Sequence, residues 1–238
     1  MLVAAAVCPC PPLLVPEVAA GAAPELDGAR AACVDALGVL AAARPDRLVV
    51  VGPAEVSGSL AYPQGAPGSF RGFGVDLDVR LGPAVPVAAG APRLAPSLAV
   101  AAWLLDRTGW HAAPVAGLGV AQDLPSRRCA GIGAELAGAE GRVALLVMGD
   151  GSACRTVKAP GYLDERAAGF DAEVARALAA ADTAALGALD ADLAGELGAC
   201  GRVPWQVLAG AAEGAGLSGA LLYEDAPYGV GYLVAAWA

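Results

Sequence analysis

The chain has 238 residues, of which 57% are hydrophobic, and a formal net charge of −9. This length suits one α/β domain with a sizeable core, and the acidic balance opposes nucleic-acid binding, which needs clustered Lys and Arg. No apolar run reaches the ~20 residues of a membrane helix, and the apolar start lacks basic residues and is interrupted by prolines. We therefore expect a cytoplasmic protein that binds neither nucleic acid nor membrane.

Hydrophobic patterns predict alternating strands and helices along the first half of the chain. Strands are predicted over Leu2–Val7 and Leu48–Val51, with an amphipathic helix over Pro24–Ala43 between them. The segment Pro53–Arg71 is rich in Gly, Pro and Ser, and is predicted to be a long loop of the kind that is often functional. Alternating apolar residues in Gly72–Leu81 predict a half-exposed antiparallel strand near a sheet edge.

The second half of the chain continues this alternation of helices and strands. The predicted elements are helices over Pro96–Thr108 and Pro125–Ala137, strands over Ala112–Gly119 and Val143–Met148, two or three helices between Tyr162 and Glu213, and closing strands over Ala220–Tyr223 and Val230–Trp237. Ser126 is a candidate N-cap of the helix predicted from Pro125. The order of elements predicts a single α/β domain over residues 1–238, with a mixed, mostly parallel sheet between helical layers.

The six cysteines, at positions 8, 10, 33, 129, 154 and 200, are expected to be reduced thiols. Cys8 and Cys10 are separated by one residue, whereas zinc-binding pairs usually have two to four residues between them, so no metal ligands are predicted. Cys8 fits a buried thiol that packs as a small hydrophobic group. Cys10 is a candidate catalytic thiolate, provided that a cation such as Arg155 or Lys158 lies close enough to lower its pKa.

The segment from Met148 to Arg166 gathers polar residues directly after a predicted buried strand, where α/β sheets bind their ligands. Asp150 and Ser152 are candidate catalytic residues, and the alternative is that they brace the loop by bonding its backbone. Arg155 and Lys158 are candidates for binding a small anionic ligand. The alternative for these two cations is pairing with the nearby acidic residues at positions 164 and 165.

Four segments together resemble one protein family in their order and spacing. They are CPCPPLLVPEV (Cys8–Val18), RPDRLVVVGPAE (Arg44–Glu55), LLVMGDGSACR (Leu145–Arg155) and YEDAPYGVGYLVAAW (Tyr223–Trp237). The chain resembles the B-type subunits of the class III extradiol ring-cleavage dioxygenases, in particular the divergent actinobacterial proteins that are similar to those subunits. The Memo proteins share that fold, so the resemblance implies the same α/β architecture over nearly the whole chain.

The resemblance also implies where a site would lie. Enzymes of the family hold a non-heme ferrous iron with two histidines and a glutamate, and use a further histidine as acid–base. The matching positions here hold other residues, namely Cys10, Ala54, Ala153 and, for the glutamate, the neighbourhood of Ala199 and Cys200. Since the chain has a single histidine, His111, the resemblance implies a member without the usual iron, and no cofactor is predicted.

Three hypotheses about function follow from these residues. The first is a divergent dioxygenase-like protein that acts as a non-canonical binding or partner protein. The second is an enzyme with altered chemistry in the retained cleft, acting on a small anionic or aromatic substrate. The third is a subunit that a partner chain completes, in a homo- or hetero-oligomer. Glu55 is a candidate ligand-binding residue or a solvated surface group, and we expect Cys10, Ala54 and Ala153 to meet in one cleft.

Overall fold

The computed structural model describes residues 1–88 and 90–238. Its strands are β1 (Leu2–Cys8), β2 (Arg47–Pro53), β3 (Ser59–Tyr62), β4 (Pro67–Ser69), β5 (Asp78–Arg80), β6 (Val115–Val120), β7 (Val143–Met148), β8 (Gly219–Asp225) and β9 (Tyr232–Trp237). Its α-helices are α1 (Pro16–Ala19), α2 (Asp27–Ala42), α3 (Pro96–Arg107), α4 (Ser126–Gly138), α5 (Ala167–Ala180), α6 (Thr183–Gly187), α7 (Ala191–Glu196) and α8 (Arg202–Ala212). Short 3-10 helices cover Pro12–Leu14, Ala20–Leu26 and Arg71–Phe73.

Seven strands of the described chain form one mixed sheet in the order β3-β6-β2-β7-β1-β9-β8. The four central strands, β6, β2, β7 and β1, are parallel neighbours. Antiparallel pairings add β3 at one edge, and β9 followed by β8 at the other. The predicted α/β class, with a mixed, mostly parallel sheet, is therefore confirmed.

Helices cover both faces of the sheet, and alternate strand residues bury against each layer. In β1, Ala4 and Ala6 belong to the core that α2 and α3 cover. Ala5 and Val7 belong to the opposite core, which α4, α5 and α8 cover. All six residues of β7 are buried because this strand is central, which explains its continuous apolar sequence.

The long loop predicted over Pro53–Arg71 is wrong, because this segment contains β3 and β4. Ser59–Tyr62 pairs antiparallel with β6 and buries Tyr62, so a short edge strand forms despite the many Gly and Pro residues nearby. Pro67–Ser69 pairs with β5 in a separate two-stranded sheet.

The strand predicted over Gly72–Leu81 is wrong in its extent. Only Asp78–Arg80 pairs with a neighbouring strand. The first part of the predicted strand instead belongs to a 3-10 turn that ends at Gly74. The φ of Gly74 is 82°, a left-handed conformation that glycine adopts without strain. Apolar alternation alone therefore overestimated the paired length.

The helices between Tyr162 and Glu213 number four in this fully described stretch, not two or three. The short helices α6 and α7 form because Asp182 and Asp190 cap them by accepting backbone N–H bonds. The predicted Ser126 N-cap is wrong, since α4 begins at Ser126 itself and its N-cap position, Pro125, has no side-chain bond. None of the helices in the described chain is long and apolar enough to cross a membrane.

Candidate functional site

The candidate site lies at the carboxyl edge of the parallel strands. Cys10 follows the end of β1, and Asp150 follows the end of β7. Because β1 and β7 are parallel neighbours, these two residues leave the sheet at the same edge. The long helix after β1, α2, and the helix after β7, α5, pack on opposite faces of the sheet, an arrangement at which α/β sheets commonly bind ligands.

Cys10 and Asp150 meet a third residue, Cys200, which lies between α7 and α8. The Sγ atoms of Cys10 and Cys200 are 4.0 Å apart, and potential ligand atoms of all three residues lie within 4.8 Å of one another. The backbone N–H of Cys10 donates to Asp150 Oδ1 at 2.7 Å, and the N–H of Asp150 donates to Cys200 Sγ at 3.3 Å. We call these three residues the Cys–Asp–Cys cluster.

Two glycines allow Cys200 to approach the other members of the cluster. A Cβ atom on Gly149 would lie 2.4 Å from the Cα of Gly201, so the two backbones touch. The contact is fixed by a bond of 2.9 Å from the N–H of Gly201 to the carbonyl of Asp150. Glycine is needed here because any side chain at position 149 would push the α7–α8 connection away.

Burial and neighbouring groups shift the pKa values of Asp150 and Cys10. Burial raises the pKa of Asp150 to about 7, against the opposing effect of its bond from the Cys10 N–H. The pKa of the Cys10 thiol is raised by its contact with Cys200, then by burial and by the charge of Asp150. The pKa of Tyr232 on β9 is also raised, by burial and then by the charge of Asp150. The pKa shifts of Asp150 and Cys10 are both toward their protonated forms.

Ser152 and Arg155 belong to a second cluster, centred on Asp171 of α5. Asp171 is 1% exposed and accepts bonds from the Ser152 N–H at 2.7 Å, the Ser152 hydroxyl at 2.8 Å and Arg155 Nη1 at 2.9 Å. We call these three residues the Asp171 brace. The contacts match the bracing alternative for Ser152, although the bracing partner is a distant side chain rather than nearby backbone.

The predicted pairing of Arg155 with Asp164 or Glu165 is wrong, because Arg155 bonds Asp171 and Asp164 bonds Arg166 instead. Sequence reasoning missed Asp171. A signal for it existed, since Asp171 lies in the apolar stripe of α5 beside Phe170 and Val174.

Lys158 and Glu55, the other candidate ligand-binding residues, are exposed and form no ion pair with any residue that the structure describes. Residues 149–166, all of them described, contain no helix that would place Arg155 and Lys158 on one face. The ligand-binding roles of Glu55, Arg155 and Lys158 stay predictions.

Ala54 and Ala153 lie at the same carboxyl edge as Cys10, as their positions after β2 and β7 require. Their immediate contacts differ, however. The Ala54 N–H bonds the carbonyl of Val120, whereas the Ala153 N–H bonds the carbonyl of Leu197. The shared edge is as expected, and the residues that actually contact Cys10 are Asp150 and Cys200.

His111 lies at the opposite edge of the sheet. It precedes β6, and the amino end of β6 is remote from the carboxyl ends of the parallel strands. Its side chain is exposed, with Nδ1 2.7 Å from the carbonyl oxygen of Gly109. The only imidazole of the chain therefore cannot reach the Cys–Asp–Cys cluster within one molecule.

The ferrous iron of the family that the chain resembles does not fit these residues. A facial triad for ferrous iron uses two imidazoles and one carboxylate. The cluster offers two thiols and one carboxyl group, from Cys10, Cys200 and Asp150. Sequence reasoning had placed Cys200 only near an implied glutamate position, because no local pattern links two cysteines 190 residues apart.

Comparisons with known proteins add information about the fold. No protein-family model matches the chain, and no curated protein matches it. Among solved structures, the chain is similar to the uncharacterized protein JW3007 from Escherichia coli K12, with a TM-score of 0.60 and 16% sequence identity over 99% of each chain. At that identity the likeness concerns the fold alone.

Proposed function

We propose that this chain is a divergent protein of the class III extradiol dioxygenase type that binds a ligand at the Cys–Asp–Cys cluster and does not cleave aromatic rings. The observation that carries the proposal is the position of this cluster. Cys10 and Cys200 stand at or beside positions where the resemblance implies iron ligands, and they contact each other there. This edge of the sheet therefore offers two thiols and a carboxyl group where the resembled family would offer imidazoles and a carboxylate.

The donor chemistry supports binding without ring cleavage. Ring cleavage in the resembled family requires two imidazole ligands and a further imidazole that moves protons. His111 is the single histidine, and it lies beyond the opposite edge of the sheet. The Cys10 thiol does not replace an imidazole base, because its contact with Cys200 and then its burial raise its pKa.

The contacts of Arg155 weigh against a small anionic substrate. An anion site would need an unpaired guanidinium, and this one is bonded to the buried carboxylate of Asp171. An anion would have to displace Asp171, leaving a buried carboxylate without its partner. The proposal therefore places the ligand at Cys10, Asp150 and Cys200 rather than at Arg155.

Anaerobic reconstitution with ferrous iron tests the proposal. The purified chain is incubated with ferrous salt, desalted, and assayed with catechol and substituted catechols in oxygenated buffer. An authentic ring-cleaving dioxygenase treated in parallel is the positive control. We expect no ring-cleavage product from this chain, whereas turnover with stoichiometric iron would overturn the proposal.

A further inference from the structure

We propose that the Cys–Asp–Cys cluster binds one thiophilic divalent cation, with zinc as its type, through Cys10 Sγ, Cys200 Sγ and a carboxylate oxygen of Asp150. This inference rests on the proposed function and names the ligand class for the same site. Thiolate ligands select zinc-like cations, whereas carboxylate and water suit magnesium and calcium. Two sulfurs and one carboxylate oxygen therefore point to a zinc-like cation in a site with one further position for water.

The spacing of the two sulfurs suits such an ion. Zinc–sulfur bonds of about 2.3 Å at a tetrahedral angle place two ligand sulfurs about 3.8 Å apart. The Sγ atoms of Cys10 and Cys200 are 4.0 Å apart. Binding would need only a small adjustment of side chains that already converge.

Backbone hydrogen bonds already orient two of the three ligands. The Asp150 N–H donates to Cys200 Sγ at 3.3 Å, a contact that holds this sulfur in position. The Cys10 N–H donates to Asp150 Oδ1 at 2.7 Å, which leaves Oδ2 as the oxygen for the cation. Such outer bonds hold ligands in place in metal sites.

One member of the cluster, Cys200, lines a surface pocket, and a positive charge lines the same pocket. A pocket of about 250 Å³ is lined by Cys200 together with Gln122, Gly198 and Arg202. Arg202 is 5% exposed, and it bonds backbone carbonyls and Gln206 but no carboxylate among the described residues. A divalent cation with two thiolates and one carboxylate carries a net charge of −1, which this guanidinium can offset.

The binding step balances without any redox change. One cation displaces the protons of the Cys10 and Cys200 thiols, and that of Asp150 where the carboxyl is protonated. These protons go to solvent, and two metal–sulfur bonds and one metal–oxygen bond form. The free energy of the new bonds offsets the cost of ionising buried acidic groups.

Zinc titration against a chromophoric chelator tests the inference, in the full-length chain under reducing conditions. We expect one zinc per chain, and affinities at least about 100-fold weaker in Cys10→Ser and Cys200→Ser, since even outer-sphere changes cost 10–100-fold. Cys33→Ser is the matched control, because Cys33 is a buried thiol beside Cys8 with no place in the cluster. Circular dichroism checks that each variant is folded.

A readout on the unmodified chain keeps the test independent of variant folding. Cadmium replaces zinc, and thiolate-to-cadmium charge-transfer absorption should appear and saturate at one equivalent. The inference is overturned if zinc and cadmium do not bind stoichiometrically, or if Cys33→Ser loses as much affinity as Cys10→Ser. Ring cleavage with iron would overturn the proposed function, whether or not the chain binds zinc. If the chain neither cleaves rings nor binds zinc, only this inference is overturned.

Discussion

Two aspartates near the loop after β7 differ in the hydrogen bonds and the cation partners that their carboxyl groups have. Asp171 is buried but accepts three hydrogen bonds, including one from the cation Arg155. Asp150 accepts one bond from the Cys10 backbone and has no cation partner in the described residues. The comparison teaches that burial alone does not mark a site. A partly buried carboxyl that lacks a cation, with two thiols beside it, is the one that can accept a metal ion.

Two pairs of neighbouring thiols differ in a similar way, in the groups that lie beside them. Cys8 and Cys33 are 0% exposed and lie inside the core between β1 and α2, where the nearby Cys8 raises the pKa of Cys33. Cys10 and Cys200 have Asp150 beside them, and Cys200 lines a surface pocket. The first pair packs as small apolar groups, whereas the second is a set of potential ligands.

The largest expected effect is on stability, from breaking the Asp171 brace. Asp171→Ala leaves the Arg155 charge and the Ser152 hydroxyl without their acceptor, so the free energy of unfolding should fall by about 3 kcal/mol. Urea unfolding of the zinc-free protein measures this. If the variant is as stable as the wild type, the brace is not the structural element described above.

Zinc should stabilise the wild type almost as strongly. At 100 times the dissociation constant, a ligand that binds only the folded state adds about 2.7 kcal/mol to the free energy of unfolding. Urea unfolding with and without zinc should show this gain in the wild type and in Cys33→Ser. Cys200→Ser should lose the gain at the same zinc concentration, and an equal gain in that variant would contradict a role for Cys200 as ligand.

The close approach of Gly149 and Gly201 provides the next test. A methyl group on Gly149 would lie 2.4 Å from the Cα of Gly201, so Gly149→Ala should displace Cys200 and destabilise the fold by about 1–3 kcal/mol. Zinc affinity should fall with it, as competition titration would show. Gly131→Ala in α4 is the control, since a methyl group there meets nothing within 4 Å.

The pH dependence of stability should report the titration of Asp150. The pKa of Asp150 is raised from 3.8 to about 7, so the folded protein holds this proton more tightly than the unfolded chain does. Its contribution is therefore fully present below pH 3.8 and is lost as the pH rises through 7. Unfolding in chelator and reductant should show wild type losing stability relative to Asp150→Asn over this window, and a constant difference would contradict the raised pKa.

The smallest expected effects come from Lys158 and Glu55. Both side chains are exposed, so Lys158→Ala and Glu55→Ala should change the free energy of unfolding by less than about 0.5 kcal/mol. Zinc affinity should also be unchanged. A marked loss of affinity in either variant would extend the site beyond the Cys–Asp–Cys cluster.

The elements that could be predicted from the sequence are those with strong local patterns. Buried strands such as Val143–Met148 have continuous apolar runs, and the polar segment after that strand pointed to Asp150. The edge strand Ser59–Tyr62 could not be predicted, because it depends on pairing with β6 rather than on its own residues. For a similar reason Asp171 was missed and Cys200 was named only beside an implied glutamate position, since each acts through a contact with residues distant in sequence.

Zinc K-edge X-ray absorption of the reconstituted wild-type chain is the most direct test of zinc binding at the Cys–Asp–Cys cluster, because it reports the ligand atoms themselves. We expect two sulfur ligands at about 2.3 Å and an oxygen shell at about 2.0–2.2 Å. These would be Cys10 and Cys200, with Asp150 and water supplying oxygen. A shell of nitrogen and oxygen without sulfur would contradict zinc binding by Cys10 and Cys200.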